Sequence, residues 1–301
     1  MMLRVSENDL TFAKNNMLDS MSPQVSFIIP SLGSAVRLNE CVFSILNQQL
    51  KSYEIIVIVG KNAGNVDFIF PKGVRVHYFP SAAGSPALRN LGAHVARGEI
   101  LYFLDDDCIL NSETFLNKFL SALPETENIW CGGYISHAKS SWAGEIYNCI
   151  CQFWLKSRLN ISVSSVFLGG NFAIRKATWS KNRIQFAENL QSGGEELLLA
   201  HRLRSLNLSI VYKKHLDVKH LSRHSTLSCL GRAWTHGLAP SRDYQGPFSI
   251  RKGFRFLPWD PMKLFVVFIY FSLTNLGRFW FLANRKSTVG QAENCPTAYA
   301  K

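Results

Sequence analysis

The chain has 301 residues, 47% of them hydrophobic and 18% charged, which is enough for a buried core and too apolar for a disordered segment. Its net charge of +12 points to a polyanionic neighbourhood: nucleic acid, an anionic membrane or phosphorylated substrates. Seven scattered cysteines show no zinc-type Cys/His spacing, and they read as reduced thiols in a cytoplasmic compartment.

Residues 1–24 are polar and lack the apolar stretch of a signal peptide, so they read as a loose arm or a short helix. Residues 25–30 form a short apolar run closed by Pro30 and Ser31, the pattern of a buried first strand. In residues 38–46 the spacing of Leu38, Val42, Ile45 and Leu46 predicts one helical face. Residues 54–59 (EIIVIV) predict a second strand, covered on both faces, and residues 74–79 a third. A helix over 89–96 is closed by Gly98, and residues 100–104 run as a fourth strand into Asp105. This alternation implies an α/β domain with a mostly parallel sheet, whose ligands bind at the carboxyl ends of the strands.

Beyond Asp107 the pattern loosens. Asn111 or Ser112 caps a predicted helix through Leu120. Residues 142–154 place Trp142, Ile146, Ile150 and Phe153 on one face, suited to an acceptor groove or to core packing. A further helix opens at Glu195 and runs to Arg204, and residues 209–212 form a strand. Residues 264–277 are uncharged and apolar, extendable to 283 by tolerating Arg278, with Arg251, Lys252, Arg255 and Lys263 before and Arg285 and Lys286 after. A span needs about 20 apolar residues, so an interfacial helix, a span and a core helix all stay open here. Trp259, Tyr270 and Trp280 suit a membrane interface.

Asp105, Asp106 and Asp107 are the residues with the plainest chemistry. In extended chain alternate side chains share a face, so Asp105 and Asp107 are expected to point the same way. Two ionised carboxylates ~4 Å apart repel by ~4 kcal/mol at an effective dielectric near 20. A hard divalent cation is the simplest compensation, and an acidic turn capping the next helix is the alternative.

The segment 85–107 (SPALRNLGAHVARGEILYFLDDD) resembles the middle of a family-2 glycosyltransferase of the GT-A type. There an Arg-Asn-x-Gly stretch, a Gly-Glu strand entry and an Asp-x-Asp metal motif follow one another. Other pieces fall in the same order. Residues 25–31 resemble the first strand, and residues 169–175 (GGNFAIR) the loop over donor sugar and acceptor. Glu195 and Glu196 before Leu199 and Arg202 resemble the acidic pair, and Val218-Lys219-His220 resembles Val-x-His. The resemblance covers residues 25 to about 225. It implies a GT-A, Rossmann-like mixed sheet and inverting sugar transfer from a nucleotide-diphosphate sugar, with a UDP-sugar expected, assisted by Mn2+ or Mg2+.

By that resemblance Pro30, Ser31, Arg89 and Asp105 contact the nucleotide, with Asp106 beside them, Asp107 holds the metal, and His220 completes the metal shell or contacts phosphate, a purely structural histidine being the alternative. Gly170, Asn171 and Glu195 line the donor-sugar or acceptor loop, and Glu196 is the general base. One departure stands out: Val59, Gly60, Lys61 and Asn62 replace the Asp-Asp-Gly-Ser-like loop that reads the base, leaving Asn62 to bond a base edge. The Gln-x-x-Arg-Trp motif of processive relatives is missing around Arg232 and Trp234, which argues for adding one or few sugars.

The expected organisation is a polar arm (1–24), a GT-A domain (25–225), a basic connecting segment (226–262), an apolar membrane-associated or spanning helix (263–284) and a tail (285–301). The expected acceptor is a glycan or lipid-linked precursor at a membrane surface, and the expected location cytoplasmic and membrane-associated. A sugar nucleotidyltransferase would want a glycine-rich loop with Arg and Lys after the first strand, which Pro30-Ser31-Leu32-Gly33 does not supply. A non-catalytic nucleotide-sugar or polyanion binder is the other alternative. No nucleic-acid motif with interleaved aromatics is present, so no nucleic-acid partner is expected.

Overall fold

The computed structural model describes residues 22–33, 35–60, 70, 73–79, 83–160, 162–190, 194–238, 251, 253 and 255–284. Strand β1 (Val25–Ser31) is buried at every residue and β2 (Tyr53–Val59) at all but its first. Such unbroken apolar runs suit parallel strands covered on both faces. β3 (Val74–Tyr78) pairs parallel with β2, and β4 (Ile100–Leu104) pairs parallel with the other side of β1. Helix α1 (Ala35–Leu46) lies between β1 and β2 in the chain, and α2 (Ser85–Val95) between β3 and β4. Pro86 starts α2 where its missing N–H costs no helical hydrogen bond. The helix then approaches β1 so closely that a Cβ on Gly92 would sit 2.2 Å from Ile28 Cγ2.

The chain thus moves outward from β1 through β2 to β3 and returns to place β4 on the opposite flank. That reversal is a topological switch point, and its crevice opens at the carboxyl ends of β1 and β4.

The second half supplies β5 (Cys108–Ile109), α3 (Phe115–Ser121), β6 (Ile129–Cys131), β7 (Tyr134–Ser136) and α4 (Trp142–Lys156). Next come β8 (Leu159–Asn160), β9 (Val163–Ser164), β10 (Asn171–Arg175), α5 (Lys176–Lys181), α6 (Glu195–Ser205) and β11 (Ile210–Tyr212). A 3-10 turn (Lys214–Leu216), β12 (Val218–His220), α7 (Thr226–Leu238) and α8 (Pro261–Asn284) complete the described elements. The main sheet runs β3-β2-β1-β4-β10-β6-β11-β9-β8, and a small one runs β5-β12-β7. The expected parallel block is β3-β2-β1-β4; beyond it β10 runs antiparallel to both β4 and β6, so the sheet is mixed. The core beneath is aromatic: Tyr102 meets Phe27, Phe115 and Phe119, and Phe119 meets Trp130 edge-on.

The C-terminal part differs from a bare connector followed by a helix. Residues 226–238 form α7, which packs on α8 around Cys229 and Ala233 because its apolar face needs a partner. The apolar face of α4 is core, with Ile146 and Ile150 in that same cluster, rather than an open groove. The arm 1–21, Lys61, Asn62 and the tail 285–301 lie outside the described residues.

Candidate active site

β4 ends at Leu104 and the chain turns at once, with Cys108 N donating to Asp105 O at 3.0 Å. The three aspartates therefore fan out instead of alternating along a strand, which corrects the expectation that Asp105 and Asp107 share a face. Each finds its own partner. Asp105 accepts from Arg89 Nη2 at 2.7 Å, and Asp106 accepts from Ser31 Oγ at 2.7 Å, tying the ends of β4 and β1 together. Asp107 faces His220 Nε2 at 3.3 Å and Arg37 Nη1, from the first turn of α1, at 3.7 Å. Burial and then the charge of Asp107 push the Asp106 carboxyl up to about 7, against the pull of Ser31 and Arg37. Burial also opposes ionisation of Asp107, but His220 and Arg37 outweigh it and hold its carboxyl below the ordinary value.

Arg89 braces the site from beneath. Its side chain is 4% exposed, its Nη1 donates to Glu195 Oε1 at 2.9 Å, and its guanidinium lies 5.3 Å from the Phe186 ring centre. Burial alone would lower its pKa; Asp105 and Glu195 raise it instead. Arg89 was expected to touch the nucleotide. With both terminal nitrogens committed to carboxylates it acts as a strut, and the half-open Asp105 faces the crevice. Asp105 N also donates to Gly170 O at 3.2 Å, where β10 begins beside the end of β4. A Cβ on Gly170 would lie 2.2 Å from Asp105 Oδ2 and 2.6 Å from Tyr134 Oη, so glycine is required there.

Asn171 needs a second correction. It is fully buried, its Nδ2 donates to the carbonyls of Gly133 and Leu216, and its Oδ1 accepts from Tyr102 Oη at 2.6 Å. That spends its side chain on the protein, so it shapes the loop and offers nothing to a sugar.

The small sheet delivers His220. Its register sets His220 opposite Cys108, one residue past Asp107. The imidazole stacks on Tyr134 with ring centres 4.2 Å apart and planes 13° apart. Asn148 of α4 fixes the tautomer. Its Nδ2 donates to Ser136 Oγ and to the His220 carbonyl, leaving Oδ1 to accept from His220 Nδ1 at 2.6 Å. With Nδ1 donating to Asn148, Nε2 is the ring atom that faces Asp107: carrying a proton it donates to the carboxylate, and without one it offers a lone pair to a cation standing in the proton's place. Ligand atoms of Asp107, Cys108 and His220 all lie within 4.8 Å of one another. The carboxylate oxygen suits Mn2+ or Mg2+ and the imidazole nitrogen favours Mn2+ of the two, whereas burial pushes the Cys108 thiol well above its usual range. The residues present therefore fit a divalent cation at Asp107 and His220.

Glu195 and Glu196 open α6 after Gly194, whose φ of 91° suits glycine. Glu195 is claimed by Arg89. Glu196 stands beside it, and its charge reaches Tyr147 and Cys151 of α4. Burial first, and then the neighbouring Glu195, push the Glu196 carboxyl up to about 8, which makes it a stronger base than an ordinary carboxylate once ionised. Pro30 and Ser31 lie at the end of β1 as expected, whereas Glu54 is structural, bonded to Ser26, Arg75 and Arg97. Sequence reasoning missed Arg37, Asn148 and Tyr134, which meet the site only through tertiary packing.

A family model described as Glycosyl transferase family 2 matches residues 26–178. An uncharacterized glycosyltransferase of Haemophilus influenzae is 35% identical over 98 residues, covering 30% of this chain and 39% of that protein. Across three such relatives the aligned stretch covers 39%, 42% and 60% of their own length, less than two-thirds in each. Among solved structures, residues 1–349 of Staphylococcus aureus TarS in complex with UDP match with a TM-score of 0.53 at 17% identity, over 71% of this chain and 64% of that one. The mannosyltransferase PcManGT of Pyrobaculum calidifontis, in complex with GDP-Man and Mn2+, matches with a TM-score of 0.54 at 11% identity, over 92% and 86%. The mixed α/β sheet is thus the GT-A fold.

Proposed function

The chain belongs to glycosyl transferase family 2, and from that premise we propose that it transfers a sugar, with inversion and with Mn2+ or Mg2+, from a nucleotide-diphosphate sugar to an acceptor hydroxyl. The observation that carries the cation is the Asp107–His220 pair, 3.3 Å apart, with Nδ1 already committed to Asn148. A cation held there would act as a Lewis acid on the departing diphosphate. The GDP-Man and Mn2+ bound by PcManGT and the UDP bound by TarS support a nucleotide donor on this fold. We take a UDP-sugar as the donor.

The chain's own residues divide the remaining work. Pro30, Ser31, Asp105 and Asp106 form the floor on which the nucleoside rests, and Arg89 holds Asp105 in place from below. Gly170 keeps the wall low beside Asp105, leaving room for the donor sugar. Glu196 takes the proton from the acceptor hydroxyl, whose oxygen attacks the anomeric carbon as the bond from that carbon to the diphosphate oxygen breaks. The bonding pair leaves with the nucleoside diphosphate, and the attack from the opposite face inverts the centre. Nearby, Arg37 adds positive charge at the rim where the diphosphate would emerge.

The acceptor is proposed to be a membrane-linked glycan or glycolipid precursor, and the protein to be cytoplasmic and membrane-associated. The apolar helix Pro261–Ala283, with a mean hydropathy of 1.5, supports this, as does the charge of +12 for an anionic surface or substrate. Thermal melting with UDP, with and without Mn2+, tests the donor reading. Stabilisation by UDP that needs the metal is the expected result; equal stabilisation without metal would remove the cation from the account.

A further inference from the structure

Helix α8 has two faces of opposite fate. One is docked for nearly its whole length. Near its start Lys263 Nζ donates to Glu145 Oε2 of α4 at 2.6 Å. Val266, Val267 and Tyr270 then join Ala143, Ile146 and Ile150 of α4 and Cys229 and Ala233 of α7 in a buried cluster. Farther along, α7 and α8 touch at paired glycines: a Cβ on Gly237 would lie 2.4 Å from Thr274 O, and one on Gly277 2.9 Å from Trp234 O.

The other face is bare and apolar. Met262, Phe265, Phe268, Leu276 and Phe279 are 58–79% exposed, and Trp259, just before the helix, is 89% exposed. These side chains recur at helical spacing and form one strip, larger than the scattered apolar residues normal on a surface. Cations flank it along the chain: Arg251 and Arg255 are exposed before the helix, Arg285 and Lys286 follow in the sequence, and no acid stands between Asp260 and Glu293 in the sequence. An apolar strip with an aromatic end and basic flanks fits a lipid surface carrying negative charge.

Length and composition alone would let α8 cross a bilayer. Its docking argues otherwise, because a crossing helix would drag α7 and α4 into hydrocarbon with Glu145, Arg232 and His236. We propose that the bare face of α8, together with Trp259, lies in the plane of an anionic bilayer surface and seats the catalytic domain there without crossing. The seat is one helix away from the cation site: α4 turns Ile146 and Ile150 towards α8 and Asn148 towards His220. The inference leans on the proposed membrane-linked acceptor for its purpose only; its evidence is separate from the donor chemistry.

The test uses the full chain and two vesicle types, phosphatidylcholine alone and phosphatidylcholine mixed with phosphatidylglycerol. Flotation is expected with the mixed vesicles, weaker with the neutral ones and weakened by salt. The double variant F268E/F279E, altered only at exposed positions, is expected to lose about tenfold or more of that partition. It should keep its melting temperature and its Mn2+-dependent UDP binding, so that failure of the seat and failure of the donor reading are read separately. Spin labels at M262C and L282C are expected to report one shared shallow depth. A gradient placing one label deep or on the far side overturns the in-plane seat in favour of a span. An absence of flotation together with dimers that F268E/F279E dissociates overturns it in favour of a second copy of the chain.

Discussion

Replacing Gly170 by alanine strikes the site where its geometry is tightest. The new Cβ would lie 2.2 Å from Asp105 Oδ2 and 2.3 Å from its Cγ, with Tyr134 Oη at 2.6 Å, all inside the 3.0 Å that real Cβ contacts respect. Asp105 must swing away, since the backbone of Gly170 is tied to it through the 3.2 Å bond from Asp105 N. The swing breaks the 2.7 Å pair with Arg89, whose side chain is 4% exposed and cannot find water in exchange. A hydrogen bond to a charged group contributes about 1.5–3 kcal/mol, and the partial exposure of Asp105 places this one near the lower end. With about 2–4 °C per kcal/mol for a domain of this size, melting should fall by about 3–8 °C. Mn2+-dependent UDP affinity should fall with it, by about tenfold, if Asp105 is the nucleoside contact. Calorimetric melting and titration read the two effects. In a D105A background the share of the G170A penalty that comes from Asp105 should vanish, leaving only the 2.6 Å approach to Tyr134 Oη. A G170A protein that melts and binds like the parent, or a penalty undiminished in D105A, would show that contact with Asp105 does not require glycine at position 170.

Other perturbations follow from the same contacts. Asn148→Ala frees His220 Nδ1 and should lower Mn2+ affinity about 10–100-fold in titration, as loss of an outer hydrogen bond does at metal-bound histidines; unchanged affinity would remove His220 from the ligand set. Arg37→Ala takes away the cation 3.7 Å from Asp107, so Mn2+ alone should bind more tightly, and weaker binding would contradict the site. Glu196→Gln should abolish transfer while keeping Mn2+-dependent UDP binding, and undiminished turnover would sink the assignment. Because burial and Glu195 raise the Glu196 carboxyl to about 8, the base is protonated below that value. For the parent enzyme kcat/KM should therefore climb as pH rises through about 8 and level off above it, and a profile flat from pH 6 to 9 would contradict the role.

The parts that were legible in the sequence are those held by local pattern. β1, β2 and β4 are unbroken apolar runs, and the run of side chains by itself marks a strand buried in a parallel sheet. The order of Arg89, Asp105 and Asp107, then Glu196 and His220, carried the family, and its model matches residues 26–178. What failed was orientation. Nothing in three consecutive aspartates says that the chain turns as soon as the strand ends at Leu104, so the fan of Asp105, Asp106 and Asp107 towards Arg89, Ser31 and His220 was hidden. Asn171 was placed at the sugar loop by resemblance alone; its bonds to the carbonyls of Gly133 and Leu216, which explain its burial, join segments far apart in the chain. Asn148 sits inside an apolar helical pattern, and its bond to His220 spans 72 residues. The two- and three-residue strands of the small sheet are too short to show periodicity, yet they bring His220 to Asp107.

Metal-dependent transfer from a nucleotide sugar rests on Asp107 and His220. It is tested most directly by incubating the full chain with a panel of nucleotide sugars and Mn2+, and measuring nucleoside diphosphate release with and without chelator. Release from at least one donor, a UDP-sugar first, is expected, and chelation or Asp107→Ala should abolish it. Release that persists under chelation or in the Asp107 variant would contradict it, as would silence across the whole panel while the same protein makes a nucleotide sugar from a nucleoside triphosphate and a sugar phosphate.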